Sequence, residues 1–293
     1  MRSQRGMVLL MVLWVIVLMT VLAASYVQSA TTESLQSRYL LNVTQARYSA
    51  ESGLHRAVYE LRNPTQDLRW LGDGRVYEVD FEGAKVSIEI QDETGKVDLN
   101  AADDVMLTAL FASAGLPDAD AKQLAGAVQD WRDPDTLKHE PGAEIAEYEQ
   151  ADLNYGPRNR PFETLSELQQ VLGMDFELFQ QLEPSITLNS GSFQPNMAYA
   201  PASVLRLVPP GLSEGQVEAF LEQRLGAPRG APLIMPNGQP VLAQGGGLTY
   251  TIRSTAVLST GAKATLEATV MLGSGSTGQR PFRIVRWRDG GSS

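Results

Sequence analysis

Arg5-Gly6-Met7-Val8-Leu9-Leu10-Met11-Val12-Leu13-Trp14-Val15-Ile16-Val17-Leu18-Met19-Thr20-Val21-Leu22-Ala23-Ala24 follows four residues that hold one more arginine, Arg2, and no further charge appears before Glu33. An apolar helix needs about 20 residues to cross a hydrocarbon core of roughly 30 Å. The uncharged stretch from Met7 through Val27 has that length. Basic residues ahead of such a run keep the N-terminus cytoplasmic and send the rest across the membrane. The competing reading is a cleaved secretory signal, but Ala-Ala-Ser-Tyr-Val-Gln-Ser-Ala at 23–30 offers only mediocre small-residue cleavage sites. The expectation is a single-pass anchor at residues 7–27 with residues 1–6 as a short basic leader.

Beyond the anchor, apolar or small residues keep helical spacing from Glu33 to Leu61 (Leu35, Tyr39, Leu40, Val43, Ala46, Ala50, Leu54, Ala57, Val58, Leu61), and Pro64 stops the pattern. One helix is therefore expected to run from the bilayer onto a folded domain. Two alternating runs, 76–81 and 85–90, are joined by Glu82-Gly83-Ala84 and predict a hairpin. A second hairpin is predicted from 249–258 and 264–272 around Thr260-Gly261-Ala262-Lys263, with a last strand at 282–287. Between these strand groups the pattern is helical. The expected fold class is α+β: a long N-terminal helix on an antiparallel sheet that carries a large inserted all-helical domain. The expected division is 28–98 for the helix continuation and first hairpin, 99–189 for the inserted domain, and 190–293 for a helical hairpin and the remaining strands.

At 293 residues and 43% hydrophobic, the chain can furnish a real core. It has no cysteine and only two histidines, His55 and His139, which excludes disulfides, thiolate metal sites and any local two-histidine motif. No nucleophile elbow, phosphate loop or dinucleotide fingerprint is present, so no enzyme is expected. Residues 92–189 carry 20 Asp+Glu against 6 Lys+Arg, a net of −14, leaving +4 for the rest of a chain whose total is −10. Such a segment repels polyanions. Arg280, Arg283, Arg286 and Arg288 form a small basic patch, read either as a contact for an acidic neighbour or as a solvated edge strand.

The helical region holds a weak repeat, Asn100-Ala101-Ala102 with Gly115-Leu116 and Asn196-Met197-Ala198 with Gly211-Leu212. A helix is expected inside each unit and another just after it, one capped by Asp118 and one opened by a Ser213/Gln216 capping box. Thr164 and Glu167 start a further helix that meets Gly173 and continues over 176–182. Glycine turns of this kind can present amides to a phosphate. Acid at Asp118 and Asp175 stands where a phosphate binder needs a cation, so no nucleic acid is expected as a partner. The candidate ligand site is the acidic stretch 130–150. Asp130, Asp133, Asp135, Glu144 and Glu147 are candidate calcium ligands, without EF-hand spacing. A solvated acidic surface is the other reading, and Trp131 beside it reads as a core anchor.

Several segments together carry a resemblance. Residues 45–54 (Gln-Ala-Arg-Tyr-Ser-Ala-Glu-Ser-Gly-Leu) resemble the post-membrane helix of minor pseudopilins. Residues 92–102 (Asp-Glu-Thr-Gly-Lys-Val-Asp-Leu-Asn-Ala-Ala), 130–135 (Asp-Trp-Arg-Asp-Pro-Asp) and 157–168 resemble the general secretion pathway protein K family, the large minor pseudopilins of bacterial type II secretion. The likeness spans Arg5 to about Leu272. It implies a pseudopilin fold with a helical insertion, and a structural role at the tip of a short periplasmic pseudopilus, helping to start its assembly for protein export. It also implies cleavage between Gly6 and Met7 by a prepilin peptidase, methylation of the new N-terminus, and other minor pseudopilins and an inner-membrane secretion platform as partners. Some family members look calcium-bound. Pilin-like subunits normally carry glutamate at the fifth mature position, which here is Met11. A subunit without that acid cannot neutralise a neighbour's buried ammonium, so the end of a stack suits it better than the middle. Two alternatives remain at this level: a minor pilin of a type IV pilus, and a membrane-anchored helix-hairpin-helix nucleic-acid binder.

Overall fold

A computed structural model describes residues 4–81, 83–207, 212–228, 231–241, 246–273 and 280–290, the first three of them in backbone alone. Arg2, the turn residue Glu82 and Gly211 of the second repeat lie outside the described residues. Helix α1 spans Gln4–Leu61, 58 residues, which at 1.5 Å per residue is about 87 Å long. Its most apolar window has a mean hydropathy of 2.9 and none of it is buried, so it is long and apolar enough to cross a membrane. The helix ends where Pro64 can neither donate an amide nor follow an α-helical residue comfortably. Its packed face is Ala46, Ala50, Leu54, Ala57, Val58 and Leu61, all buried. The apolar stripe was expected to face a domain from Glu33 onward, but Leu35, Tyr39 and Leu40 stay exposed, Tyr39 at 54%. The sheet below is too short to reach them, so a stretch of about ten residues between anchor and domain has no partner among the described residues.

After α1 come β1 (Asp73–Phe81), β2 (Ala84–Asp92), β3 (Val97–Asp98), α2 (Asp104–Ser113), α3 (Asp118–Arg132), α4 (Ile145–Gln150) and α5 (Phe176–Leu182). They are followed by β4 (Ile186–Thr187), α6 (Ala202–Leu205), α7 (Glu214–Gly226), β5 (Thr249–Leu258), β6 (Lys263–Leu272) and β7 (Phe282–Gly290). The main sheet, among the described residues, has the order β1-β2-β5-β6-β7 with every pair antiparallel. Alternation sets its two faces. Val86, Ile88 and Ile90 of β2 with Ile252 and Ala256 of β5 and Leu266, Ala268 and Val270 of β6 are buried beneath α1. Gly53 lets the helix lie close, since a Cβ there would meet Val86 Cγ1 at 2.7 Å and Ser254 Oγ at 2.3 Å. The opposite face carries Glu89, Arg253, Glu267 and a ladder of threonines, with Thr251 and Thr269 hydroxyls 2.9 Å apart.

The helical body is inserted between β2 and β5, and the short parallel pair of β3 and β4 (Val97 with Ile186, Asp98 with Thr187) closes the part of it that holds α2 to α5. Its core gathers Leu107, Leu110, Phe111, Leu124, Trp131, Tyr148, Leu168 and Ile186. Leu205, Val217, Phe220 and Met235 join the same core. The division at 189/190 placed the α6–α7 segment with the sheet; packing groups it with the helical body. The reason is chemical, because the sheet face on that side is mostly charged and hydroxylated, with Glu89, Arg253, Glu267 and threonines along it. Between α2 and α3, Gly115 takes φ +98°, with Leu116 N donating to Phe111 O at 3.4 Å and Gly115 N to Ala112 O at 3.0 Å, a Schellman ending. Asp118 is the first residue of α3 rather than its cap, a position held by Pro117. The Ser213/Gln216 capping box opens α7 as expected, whereas the Thr164/Glu167 box opens only a 3-10 turn, Leu165–Gln170. The helix of the second repeat shrinks to the four residues of α6, begun after Pro201 in a segment that soon meets Pro209-Pro210.

Candidate functional site

Residues 92–102 build the joint between sheet and helical body. Asp92 is fully buried and accepts from Thr94 N (2.9 Å), Thr94 Oγ1 (2.7 Å) and Gly247 N (2.7 Å); burial still holds its pKa above the ordinary carboxylate value. Glu93, next to it, accepts from Lys96 Nζ at 2.6 Å, from Thr251 Oγ1 of β5 at 2.8 Å and from Thr187 Oγ1 of β4 at 2.5 Å. One carboxylate thus ties the sheet to the helical body. Gly95 permits the close approach, since a Cβ there would lie 2.3 Å from Tyr199 O. Asp98 accepts from Asn100 N (2.9 Å), Ser190 N (3.0 Å), Ser190 Oγ (3.2 Å) and Gly191 N (2.7 Å). The Asn100 side chain pairs with the Phe162 backbone in both directions, at 3.0 and 2.8 Å. The second fastening comes from the basic patch: Arg286 and Arg288 of β7 both bond Glu183, in the turn after α5. Two of its four arginines therefore meet an acidic neighbour within the same chain, on a strand that is also the sheet edge.

The acidic stretch is ordered around Asp130 at the end of α3. Asp130 is fully buried and accepts from His139 N (2.9 Å), from Ala143 N (2.7 Å) and, in a 2.6 Å contact, meets His139 Nδ1. That contact raises the imidazole pKa, against a smaller opposing effect of burial. Ligating atoms of Asp130, Asp133 and His139 lie within 4.8 Å of one another. Asp133 Oδ1 and Glu144 Oε1 are buried without a hydrogen-bond partner. Burial, and then the neighbouring carboxylates, raise both pKa values. Asn159 Oδ1 is a third buried oxygen without a partner, on a residue at φ +50° whose Nδ2 donates to Asp135 O. Unpartnered carboxylate and amide oxygens beside a crowd of negative charge are what a hard, oxygen-preferring cation such as calcium would satisfy, so the residues present fit that ion.

Of the five residues expected as ligands, Asp130 and Asp133 come together and Glu144 shares their field. Glu147 is otherwise engaged: it pairs with Lys138 at 3.0 Å, which lowers its pKa, and closes the α4 capping box on Glu144 N at 3.0 Å. Asp135 Oδ1 accepts from Leu137 N at 2.8 Å. His139 was missed by sequence reasoning. The signal for His139 was its place nine residues after Asp130 in an acidic run. Trp131 is a buried core residue as expected, stacked at 6.2 Å on Phe162. Next to it, Arg132 turns back to the carbonyls of Leu99 and Ala102, with burial lowering its pKa. Gly6 and Met7 lie within α1, ahead of the exposed apolar run.

Residues 86–190 match the family described as type II secretion system (T2SS), protein K. Type II secretion system protein K of Klebsiella pneumoniae is 30% identical over 252 residues, covering 75% of this chain and 75% of that protein. The protein of the same name from Pectobacterium carotovorum subsp. carotovorum is 25% identical over 210 residues, covering 64% and 63%. The fold is similar to a chain in the crystal structure of the GspK-GspI-GspJ complex from the enterotoxigenic Escherichia coli type 2 secretion system. The TM-score is 0.56 at 18% identity, over 87% of this chain and 99% of that one.

Proposed function

The chain belongs to the type II secretion system protein K family, and we propose that this minor pseudopilin stands at the tip of the periplasmic pseudopilus, where it helps to initiate assembly with other minor pseudopilins. Family membership decides against a type IV minor pilin, and this is a structural secretion component rather than an enzyme. The observation that carries the tip reading is the pairing of Met11 with a bulky lateral body. Without an acid at the fifth position after Gly6, the subunit cannot neutralise the N-terminal ammonium of a neighbour in the apolar filament core. The acidic helical body, set on the charged face of the sheet, is extra bulk on a pilin-type subunit, and a tip position accommodates it. The similar fold in a GspK-GspI-GspJ complex supports other minor pseudopilins as partners, with the exposed face of α1 around Tyr39 and Leu40 available to them. The anchor lies in the inner membrane with the N-terminus cytoplasmic and the domain periplasmic, next to the secretion platform. Acid at the helix starts after Gly115 and Gly173 supports no nucleic-acid role. Calcium is held by the unpartnered oxygens of Asp133 and Glu144 beside Asp130, and it orders the acidic stretch.

Mass spectrometry of the membrane-extracted N-terminus tests the processing this reading needs. A mature chain starting at methylated Met7 is expected, with Gly6→Ala slowing the cut. A start near Ser25 or Thr31 contradicts it.

A further inference from the structure

The helical body carries a groove of about 500 Å³ between α2, α3 and the loop 139–141, which adjoins the acidic site through His139 and takes no part in the joint. Val105, 73% exposed, and the half-buried Ala109 and Ala112 line it from α2, Ala125 and Gly126 from α3, and Pro141 from the loop. The volume lies in the range of sites that take small ligands or a few side chains. The groove is held open by fixed contacts. Gly126 sits against the loop so tightly that a Cβ would fall 1.7 Å from Pro141 O. Gln123 Nε2 donates to Gly142 O at 2.6 Å, and Asp130 holds His139 and Ala143. A cleft whose walls are already fixed loses little entropy on binding.

The rim identifies the occupant. Asp104, Asp118 and Glu140 surround the apolar floor beside His139 and Lys122; Lys122 stands 3.8 Å from Asp118 with both side chains largely in solvent, and Glu140 is met by Lys138 at 3.5 Å. An exposed pair of that kind is worth little and exchanges readily for an incoming cation. Around the rim, residues 92–189 carry a net charge of −14, a field that attracts basic segments and repels acidic ones. We propose that this groove docks a segment of another protein that presents an apolar side chain flanked by lysine or arginine.

The test is calorimetric titration of the full-length protein in zwitterionic lipid nanodiscs, with empty nanodiscs subtracted, using the acetylated, amidated peptide Lys-Leu-Val-Leu-Lys. Glu-Leu-Val-Leu-Glu and Lys-Ser-Gly-Ser-Lys serve as controls. The basic apolar peptide is expected to bind with a Kd of about 0.1–1 mM, and each control at least about tenfold more weakly. Raising the ionic strength from about 0.01 M to about 0.15 M is expected to weaken it roughly fivefold. Ala109→Trp, which fills the groove, should abolish binding. The exposed-rim variant Asp104→Asn with Asp118→Asn should weaken it about threefold in a protein that stays folded with a slightly lower melting temperature, and it decides the matter should Ala109→Trp fail to fold. Equal binding of the three peptides, no saturation by about 5 mM, or binding indifferent to both variants overturns the proposal.

Discussion

Gly126 and Gly215 are both helical glycines, and intrinsic propensity would favour alanine at each by up to about 1 kcal/mol. Their surroundings separate them. At Gly215 a Cβ meets nothing within 4 Å, whereas at Gly126 it collides with the Pro141 carbonyl. Gly215→Ala should therefore raise stability by roughly 0.5 kcal/mol, and Gly126→Ala should lower it by about 2–3 kcal/mol or displace the 139–142 loop. Thermal unfolding of the two variants checks this, and equal effects would mean that the loop does not rest on α3. The carboxylates of the same region give the second residue-scale expectation. A ligand that binds only the folded state stabilises it in proportion to the logarithm of its concentration over Kd. Millimolar calcium should raise the melting temperature, magnesium less because of its stricter octahedral shell. Asp133→Asn with Glu144→Gln should remove the gain and stabilise the metal-free protein slightly, by relieving crowded charge. Superimposable melting curves in calcium and in chelator would leave the stretch as acidic surface. Composition announced the acidity of this site but not its membership. His139 enters it only through the path of the chain after α3, which returns its ring to Asp130.

At the scale of elements, the sheet and the helical body are fastened by Glu93 and Glu183 rather than by a shared apolar layer, because the facing sheet surface is polar. Burial alone would raise the Glu183 pKa, but bonds from Arg288 and Arg286 outweigh it and the net shift is downward. A carboxylate with a depressed folded-state pKa stabilises the fold above its unfolded value near about 4.3, and that contribution is lost as pH falls through the folded value. The arginines are partly solvated, so Glu183→Gln should cost only about 1 kcal/mol at neutral pH, with the difference from the parent shrinking as pH falls through the depressed folded-state value. A pH-independent difference would assign the loss to packing instead. Strands and hairpins were legible where alternation is local, as at 84–92 and 263–272, and capping boxes marked the starts at Thr164 and Ser213. Three features were not legible. The β2–β5 pairing joins residues such as Ile90 and Ile252 that share no local signal. The two-residue clasp of β3 and β4 is too short to have a period. The Thr164 box does not distinguish a 3-10 turn from an α-helix, because both begin with the same two hydrogen bonds.

For the whole molecule, three zones follow one another along the axis of α1: an apolar anchor, a stretch around Leu35 to Leu41 exposed on every described side, and the sheet with its acidic helical body. The exposed middle zone is an unfavourable surface for an isolated chain but a natural one for a subunit that lies beside other long helices. The same anatomy sets a limit on stoichiometry. If the chain is cut after Gly6 as proposed, Met11 stands where a glutamate would let a second copy stack behind it, so the chain is expected once per assembly. Counting copies in the detergent-extracted complex by native mass spectrometry measures this directly. The expected result is one copy of this chain with the co-encoded minor pseudopilins, with no species containing two. A ladder of repeated copies, or a chain recovered alone when its partners are present, would contradict the tip assignment.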